Sequence, residues 1–239
     1  MILREKYLEC SDRELAEKWL PGRTENAIER RRARLGLTKK KKEISKNGRL
    51  EVITGPMFAG KTEELMRRLE RARFAKKSFM TFKSSLDTRY DKTMIVSHSK
   101  RTMEAIPIPS GITCAQFFDQ FGKEIEKVEI IAFDEAQFFR KKEFLKIIRE
   151  LLRQGKRVII AGLDLTFKGE PFGPMPELLA LADEVIKLTA ICEICGNPAT
   201  KTQRLINGKP VVSGPTVIVG AKEGEITYRA VCNAHFIWK

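Results

Sequence analysis

No run in this 239-residue chain approaches the roughly 18 consecutive apolar residues that a membrane-spanning helix needs. The first residues, Met1-Ile2-Leu3-Arg4-Glu5-Lys6, contain no apolar h-region, so no secretory signal is expected. Cysteine is scarce and odd in number, five, which argues against a disulfide framework. Internal repeats are absent, and the only low-complexity segment is the lysine run 39–42. Acidic residues are outnumbered, 31 against 45 Lys and Arg, for a formal net charge of +14. Such a chain favours an anionic partner, and nucleotides and nucleic acid both qualify. Apolar residues make up 42%, enough for a real core. These features predict a soluble, intracellular protein, hence a cytoplasmic one.

What the sequence does contain is concentrated at Gly55-Pro56-Met57-Phe58-Ala59-Gly60-Lys61-Thr62, directly after an apolar run with Leu50, Val52 and Ile53. This fits the P-loop pattern G-x-x-x-x-G-K-[ST] in its required context, behind a strand and ahead of a helix. Gly55 and Gly60 let the backbone wrap tightly, and successive N–H groups then cradle phosphate oxygens. The helix starting near Thr62 adds its positive end. Lys61 can reach the β- and γ-phosphates of ATP, and the Thr62 hydroxyl can take a Mg²⁺ position.

From residue 49 onward strand-like runs (50–54, 78–83, 128–133, 157–163) alternate with helical ones (62–75, 114–121, 141–154). That alternation predicts βαβ units and a mostly parallel sheet, with active residues at the carboxyl ends of its strands. The run Ile130-Ile131-Ala132-Phe133 ends in Asp134-Glu135, the second carboxylate position of a P-loop protein. Asp134 is expected to hold hydrated Mg²⁺. Side chains alternate along an extended chain, so Glu135 is expected to face a different partner and to accept a proton. It could activate water, giving an ATPase, or a substrate hydroxyl, giving a kinase. Gln137 and Phe138 follow, with Leu163, Phe167 and Phe172 near the next strand end. Three of these are phenylalanines that could form a slot for a flat base, with ordinary core packing as the alternative.

Cys192-x-x-Cys195 and Cys232-x-x-His235 are two knuckles with metal-ligand spacing. Four ligands with no open position predict a structural Zn²⁺ site rather than a catalytic one. Cys10, Cys114 and His98 have no partner motif.

The first 48 residues differ from the rest, with 14 Lys and Arg against 8 Asp and Glu. Ser11 to Glu14 reads as a capping box, with Leu15 and Trp19 following on one helix face. Pro21-Gly22 breaks that helix. Thr24 can cap a second helix over 25–35 that buries Ala27, Ile28 and Leu35 and displays Asn26, Arg30, Arg31, Arg32 and Arg34. A basic second helix behind a tight turn predicts major-groove binding to duplex DNA by residues 1–46, with a solvated helical hairpin as the alternative. S-D-R-E-L-A-E and G-R-T-E-N-A-I in this segment resemble the small Myb/SANT- or homeodomain-like helix–turn–helix modules.

G-P-M-F-A-G-K-T, D-T-R-Y at 87–90, D-E-A-Q-F-F at 134–139, L-D-x-x-F-x-G-x-P-F-G at 163–173, and the two knuckles together resemble thymidine kinases of the cellular, zinc-containing type. The resemblance covers residues 49–239. It implies transfer of the γ-phosphate of ATP to the 5′-hydroxyl of thymidine, with Glu135 as base. It further implies a P-loop core, a zinc domain carrying a lasso loop, a homotetramer, and feedback inhibition by thymidine triphosphate. Carried over by position, Gly55 to Thr62, Asp87, Arg89, Asp134 and Gln137 fall on the ATP side. Met57, Phe138, Leu163, Phe167, Phe172, Thr202, Val217, Val219 and Tyr228 fall on the nucleoside pocket. The lasso region, 205–227, looks longer than usual for the family, and the N-terminal segment is no part of the pattern.

The expected fold is therefore α/β: a P-loop parallel sheet with flanking helices, a small zinc-ribbon-like C-terminal domain, and a short all-α helix–turn–helix module. The expected divisions are 1–38, a basic linker 39–48, the kinase core 49–190, and the zinc domain with its lasso 191–239. The rival reading is a P-loop ATPase that acts on or senses nucleic acid.

Overall fold

The computed structural model describes residues 15–35, 48–86, 94–96, 101–218 and 226–238. The chain divides into two units, Met1–Lys46 and Asn47–Lys239.

In the first unit, Leu15–Trp19 forms a single π-helical turn, closed by Leu20 N–H to Leu15 O at 2.8 Å. The sequence predicts an ordinary helix there. Pro21, just past Leu20, cannot donate to a continuing ladder, so the helix stops there. Ser11 to Glu14 lie outside the described residues. Helix α1 (Glu25–Arg34) follows, with the Thr24 side chain accepting from Ala27 N–H at 3.3 Å. Leu15 and Ile28 are buried, whereas Ala27 and Leu35 are only partly so. Arg30, Arg31 and Arg34 are exposed.

The second unit is built on a six-stranded parallel sheet. Its strands are β1 (Arg49–Thr54), β2 (Phe79–Ser84), β5 (Ile106–Ile108), β6 (Ile130–Asp134), β7 (Arg157–Gly162) and β8 (Glu184–Lys187), ordered β5-β2-β6-β7-β1-β8. A short hairpin, β3 (Met94–Val96) and β4 (Thr102–Glu104), precedes β5. Residues of period two divide the core between the sheet's faces. Leu50, Val52, Ile131, Phe133, Val158 and Ile160 pack with α3 (Cys114–Glu126), α4 (Lys141–Arg153) and α5 (Met175–Leu181). Ile53, Ala132, Ile159 and Ala161 pack on the other face with Leu65, Leu69 and Ala72 of α2 (Lys61–Phe74). Helix α3 runs five residues beyond the predicted 114–121, and Lys156 donates to the carbonyls of Ile125 and Val128 at its end.

Glu51 points from β1 toward α2, where charge replaces apolar contact. It accepts from Arg157 at 2.7 Å and from Arg68, which also bonds Glu184 at 2.7 Å. Burial alone would push the Glu51 carboxyl up. Hydrogen bonds and charge from Arg157 and then Arg68 reverse that and hold it below the ordinary range.

The C-terminal part is a two-stranded pair, β9 (Ala190–Ile191) and β10 (Pro198–Ala199), beside a three-stranded ribbon. The ribbon comprises β11 (Lys201–Ile206), β12 (Lys209–Val211) and β13 (Ile226–Val231), ordered β12-β11-β13. Ala190, Cys192, Ala199, Ala230, Val231 and Phe236 form its core.

Candidate active site

Parallel register brings the carboxyl ends of four strands together: Thr54 lies opposite Gly162, and Lys83 opposite Asp134. The loop after β1 is held by close packing. A Cβ on Gly55 (φ 140°) would meet the Leu188 carbonyl oxygen at 2.4 Å. Gly60 (φ 78°) turns the chain through the left-handed region into α2. Lys61 Nζ donates to the Pro56 carbonyl at 2.7 Å, so its ammonium curls over the loop's own concave side.

Thr62 Oγ1 donates to Asp134 Oδ2 at 3.0 Å. A hydroxyl from the head of α2 and a carboxylate from the end of β6 thus share one point beside the loop. Hard oxygen donors in that pair fit a Mg²⁺ site.

Strand β6 ends at Asp134, and Glu135 adopts φ 53°, ψ 41°. The two carboxylates therefore diverge through a left-handed turn, not through the alternation of an extended chain that the sequence predicts. Gln137 is buried. Its Oε1 accepts from Leu163 N–H at 3.0 Å, so its amide N–H is aimed at Glu135 and donates to that carboxylate. Both ends of Gln137 thus meet protein groups, tying the Glu135 turn to the end of β7.

Of the residues expected at the nucleoside pocket, Phe138 and Phe172 meet edge to face, with centroids 5.8 Å apart. Phe167 lies elsewhere, under the guanidinium of Arg204 at 3.6 Å from the ring centroid. Thr202 Oγ1 accepts from Met57 N–H at 2.9 Å, joining the ribbon to the phosphate loop. Tyr228 OH accepts from Arg204 Nε at 3.0 Å. Val217 is exposed. Asp87, Arg89 and Val219 lie outside the described residues. Arg204 itself was missed. A guanidinium inside a strand carries no sequence signal for burial, and its partners lie 11 to 24 residues away or further.

The two knuckles converge. Cys192, Cys195, Cys232 and His235 place their ligand atoms within 4.8 Å of one another. Cys195 and Cys232 sulfurs are 3.8 Å apart, and His235 Nδ1 is 3.3 Å from Cys232 Sγ and 3.7 Å from Cys192 Sγ. In a tetrahedral zinc site sulfurs sit about 3.8 Å apart and sulfur sits about 3.5 Å from nitrogen. The donor set fits such an ion. Burial pushes the Cys192 thiol up, but backbone hydrogen bonds from Cys232, Ile194 and Cys195 bring it down to about 6. Thiolate is the form a metal takes.

The family model for thymidine kinase matches residues 48–236. A thymidine kinase from Coprothermobacter proteolyticus is 55% identical over 195 residues, covering 80% of this chain and 92% of the relative. The chain belongs to the thymidine kinase family. It is thereby an ATP-dependent nucleoside kinase by descent, and the match begins where the P-loop unit begins. Two solved structures are similar only distantly. AMPPCP-bound DnaA from Aquifex aeolicus has a TM-score of 0.36 and 15% identity, over 68% of this chain and 46% of that one. A DNA replication initiation factor has the same TM-score and identity, over 72% and 48%. In both cases this chain spans less than half of the other, and so low a likeness carries no weight for fold or function. No helix among the described residues is long and apolar enough to cross a membrane.

Proposed function

We propose that this thymidine kinase homologue transfers the γ-phosphoryl group of ATP to the 5′-hydroxyl of thymidine. The observation that carries the reading is the meeting of Thr62 and Asp134 at 3.0 Å, with Glu135 turned off the same strand end. Bound there, Mg²⁺ would neutralise charge on the β- and γ-phosphates. The Gly55–Thr62 loop, with Asp87 and Arg89, holds the triphosphate. Lys61 swings from the Pro56 carbonyl to the phosphates. Glu135 takes the 5′-hydroxyl proton as the new O–P bond forms and the bond to the β-phosphate breaks, releasing ADP. Gln137 holds the base in position. Met57, Phe138, Leu163, Phe172, Thr202, Val217, Val219 and Tyr228 surround the nucleoside, with Phe167 behind them. Zn²⁺ on Cys192, Cys195, Cys232 and His235 is structural.

The wider assembly belongs to the same proposal: a homotetramer in the cytoplasm, inhibited by thymidine triphosphate, with residues 1–46 as a DNA-binding module. Exposed Arg30, Arg31 and Arg34 on α1 support the last point. The test is ADP release with ATP and Mg²⁺. Thymidine-dependent release supports the kinase. Release that depends on DNA and ignores thymidine would favour a nucleic-acid ATPase instead.

A further inference from the structure

Arg204 sits in the middle strand of the ribbon, opposite Val211 on β12 and opposite Tyr228 on β13. Those two residues flank the loop that leaves β12 and returns at β13. The side chain is 1% exposed, among the most deeply buried in the chain. Its guanidinium commits every nitrogen to this one junction. Nε donates to Tyr228 OH at 3.0 Å, and the two terminal nitrogens donate to the carbonyls of Pro215 and Thr216 at 2.6 and 2.7 Å. Its central carbon lies 3.6 Å from the centroid of Phe167, a residue of the loop after β7, and 5.4 Å from that of Tyr228.

A buried cation is tolerated only where its surroundings replace water. Here two carbonyl dipoles, a phenol oxygen and two ring faces do so. The carbonyls belong to the loop, so the loop cannot leave without stranding the charge. The acceptors are backbone groups, which makes the grip indifferent to the loop's side chains. Arg204 also touches the loop's departing segment, its returning strand and the sheet domain at once.

We infer that Arg204 is the latch that holds the 212–218 loop segment over the nucleoside side of the site. It positions Tyr228 as a nucleoside-facing group, with Phe167 stacked behind the guanidinium, without touching the phosphates or the reacting atoms. The inference rests on the thymidine kinase reading. It predicts that thymidine affinity and phosphate-side affinity separate on substitution.

The experiment compares Arg204→Met and Arg204→Lys with wild type in steady-state kinetics, varying thymidine and ATP separately. Loss of hydrogen bonds made by a charged group should raise the thymidine KM about tenfold or more in Arg204→Met. Arg204→Lys should recover part of this, because it restores charge without the planar fork. The ATP KM should stay within about twofold. Thymidine should protect the 212–218 segment from limited proteolysis in wild type and fail to do so in Arg204→Met. A general structural role would move both KM values together. Parallel rises in both, or a thymidine KM unchanged in Arg204→Lys and Arg204→Met, would overturn the latch. If Arg204→Met does not fold, Arg204→Lys alone decides by the same split. A wild-type chain inactive on thymidine would overturn the kinase reading and the latch with it. An active wild type with unaltered variants would sink the latch alone.

Discussion

The backbone N–H of Met57, in the phosphate loop, donates to the hydroxyl of Thr202 at the foot of the ribbon, 2.9 Å away. The bond spans 145 positions of sequence and connects the Gly55–Thr62 loop to the part of the chain that carries the two Cys/His knuckles. Thr202→Val keeps the shape and removes the acceptor, leaving a partly buried N–H unpaired. A cost of about 1–3 kcal/mol is expected. It should appear as weaker binding of both ATP and thymidine in titration calorimetry, whereas Thr202→Ser should stay close to wild type.

Glu135→Gln keeps the size of the proposed base and removes its proton affinity. Turnover should fall by about 10²–10⁴-fold while ATP binding persists. A variant that keeps more than about a tenth of kcat would exclude Glu135 as the base. Lys61→Ala should instead weaken ATP binding and turnover together, since the proposed reaction has that ammonium on phosphate in both ground and transition states.

Metal analysis should find one zinc per chain. Chelation should unfold the 190–238 region, read as loss of its near-ultraviolet signal, and abolish thymidine binding. Active, freshly purified protein without zinc would contradict this.

Acid should attack the Glu51 cluster. Its carboxyl is held below the ordinary range when folded, so its contribution is fully present above the unfolded value near 4.5. That contribution is lost as pH falls through the lower, folded value. Thermal melts between pH 7 and 3 should therefore show a drop that is smaller in Glu51→Gln, where Glu64 and Glu184 remain as the lowered carboxylates of the cluster. At neutral pH Glu51→Gln should cost about 1–3 kcal/mol, because Arg157 and Arg68 lose a charged acceptor while Arg68 keeps Glu64 and Glu184.

Deletion of residues 1–47 should abolish duplex binding and leave thymidine phosphorylation intact. Binding by the full chain should weaken steeply with salt, by about 0.9 logarithmic units of slope per phosphate contact. Equal binding by both forms, or none by either at low salt, would refute the module.

Where the sequence was easy to read, the physics was local. Gly55 to Thr62 and Asp134-Glu135 follow apolar runs long enough to show their period, and both lie at strand ends as expected. The knuckles were legible because two-residue spacers leave little freedom. Strands such as β5, β9 and β12 have two or three residues and no period to detect. Pro107 inside β5 further masks it, being tolerated because that strand is the sheet's edge. The site's hidden parts are long-range pairings: Met57 with Thr202, Gln137 with Leu163, and Arg204 with Pro215 and Thr216. No local rule announces them.

The left-handed backbone at Glu135 bears on how this enzyme can be made more robust. A glutamate at φ 53° costs about 1–2 kcal/mol relative to the right-handed region, a cost asparagine or glycine largely avoids. Selection for heat resistance alone would drift toward Glu135→Asn, and the chain would gain melting temperature as it lost its proposed base. Durability and turnover pull in opposite directions at this single position, so screens for hardier variants should score phosphorylation alongside melting.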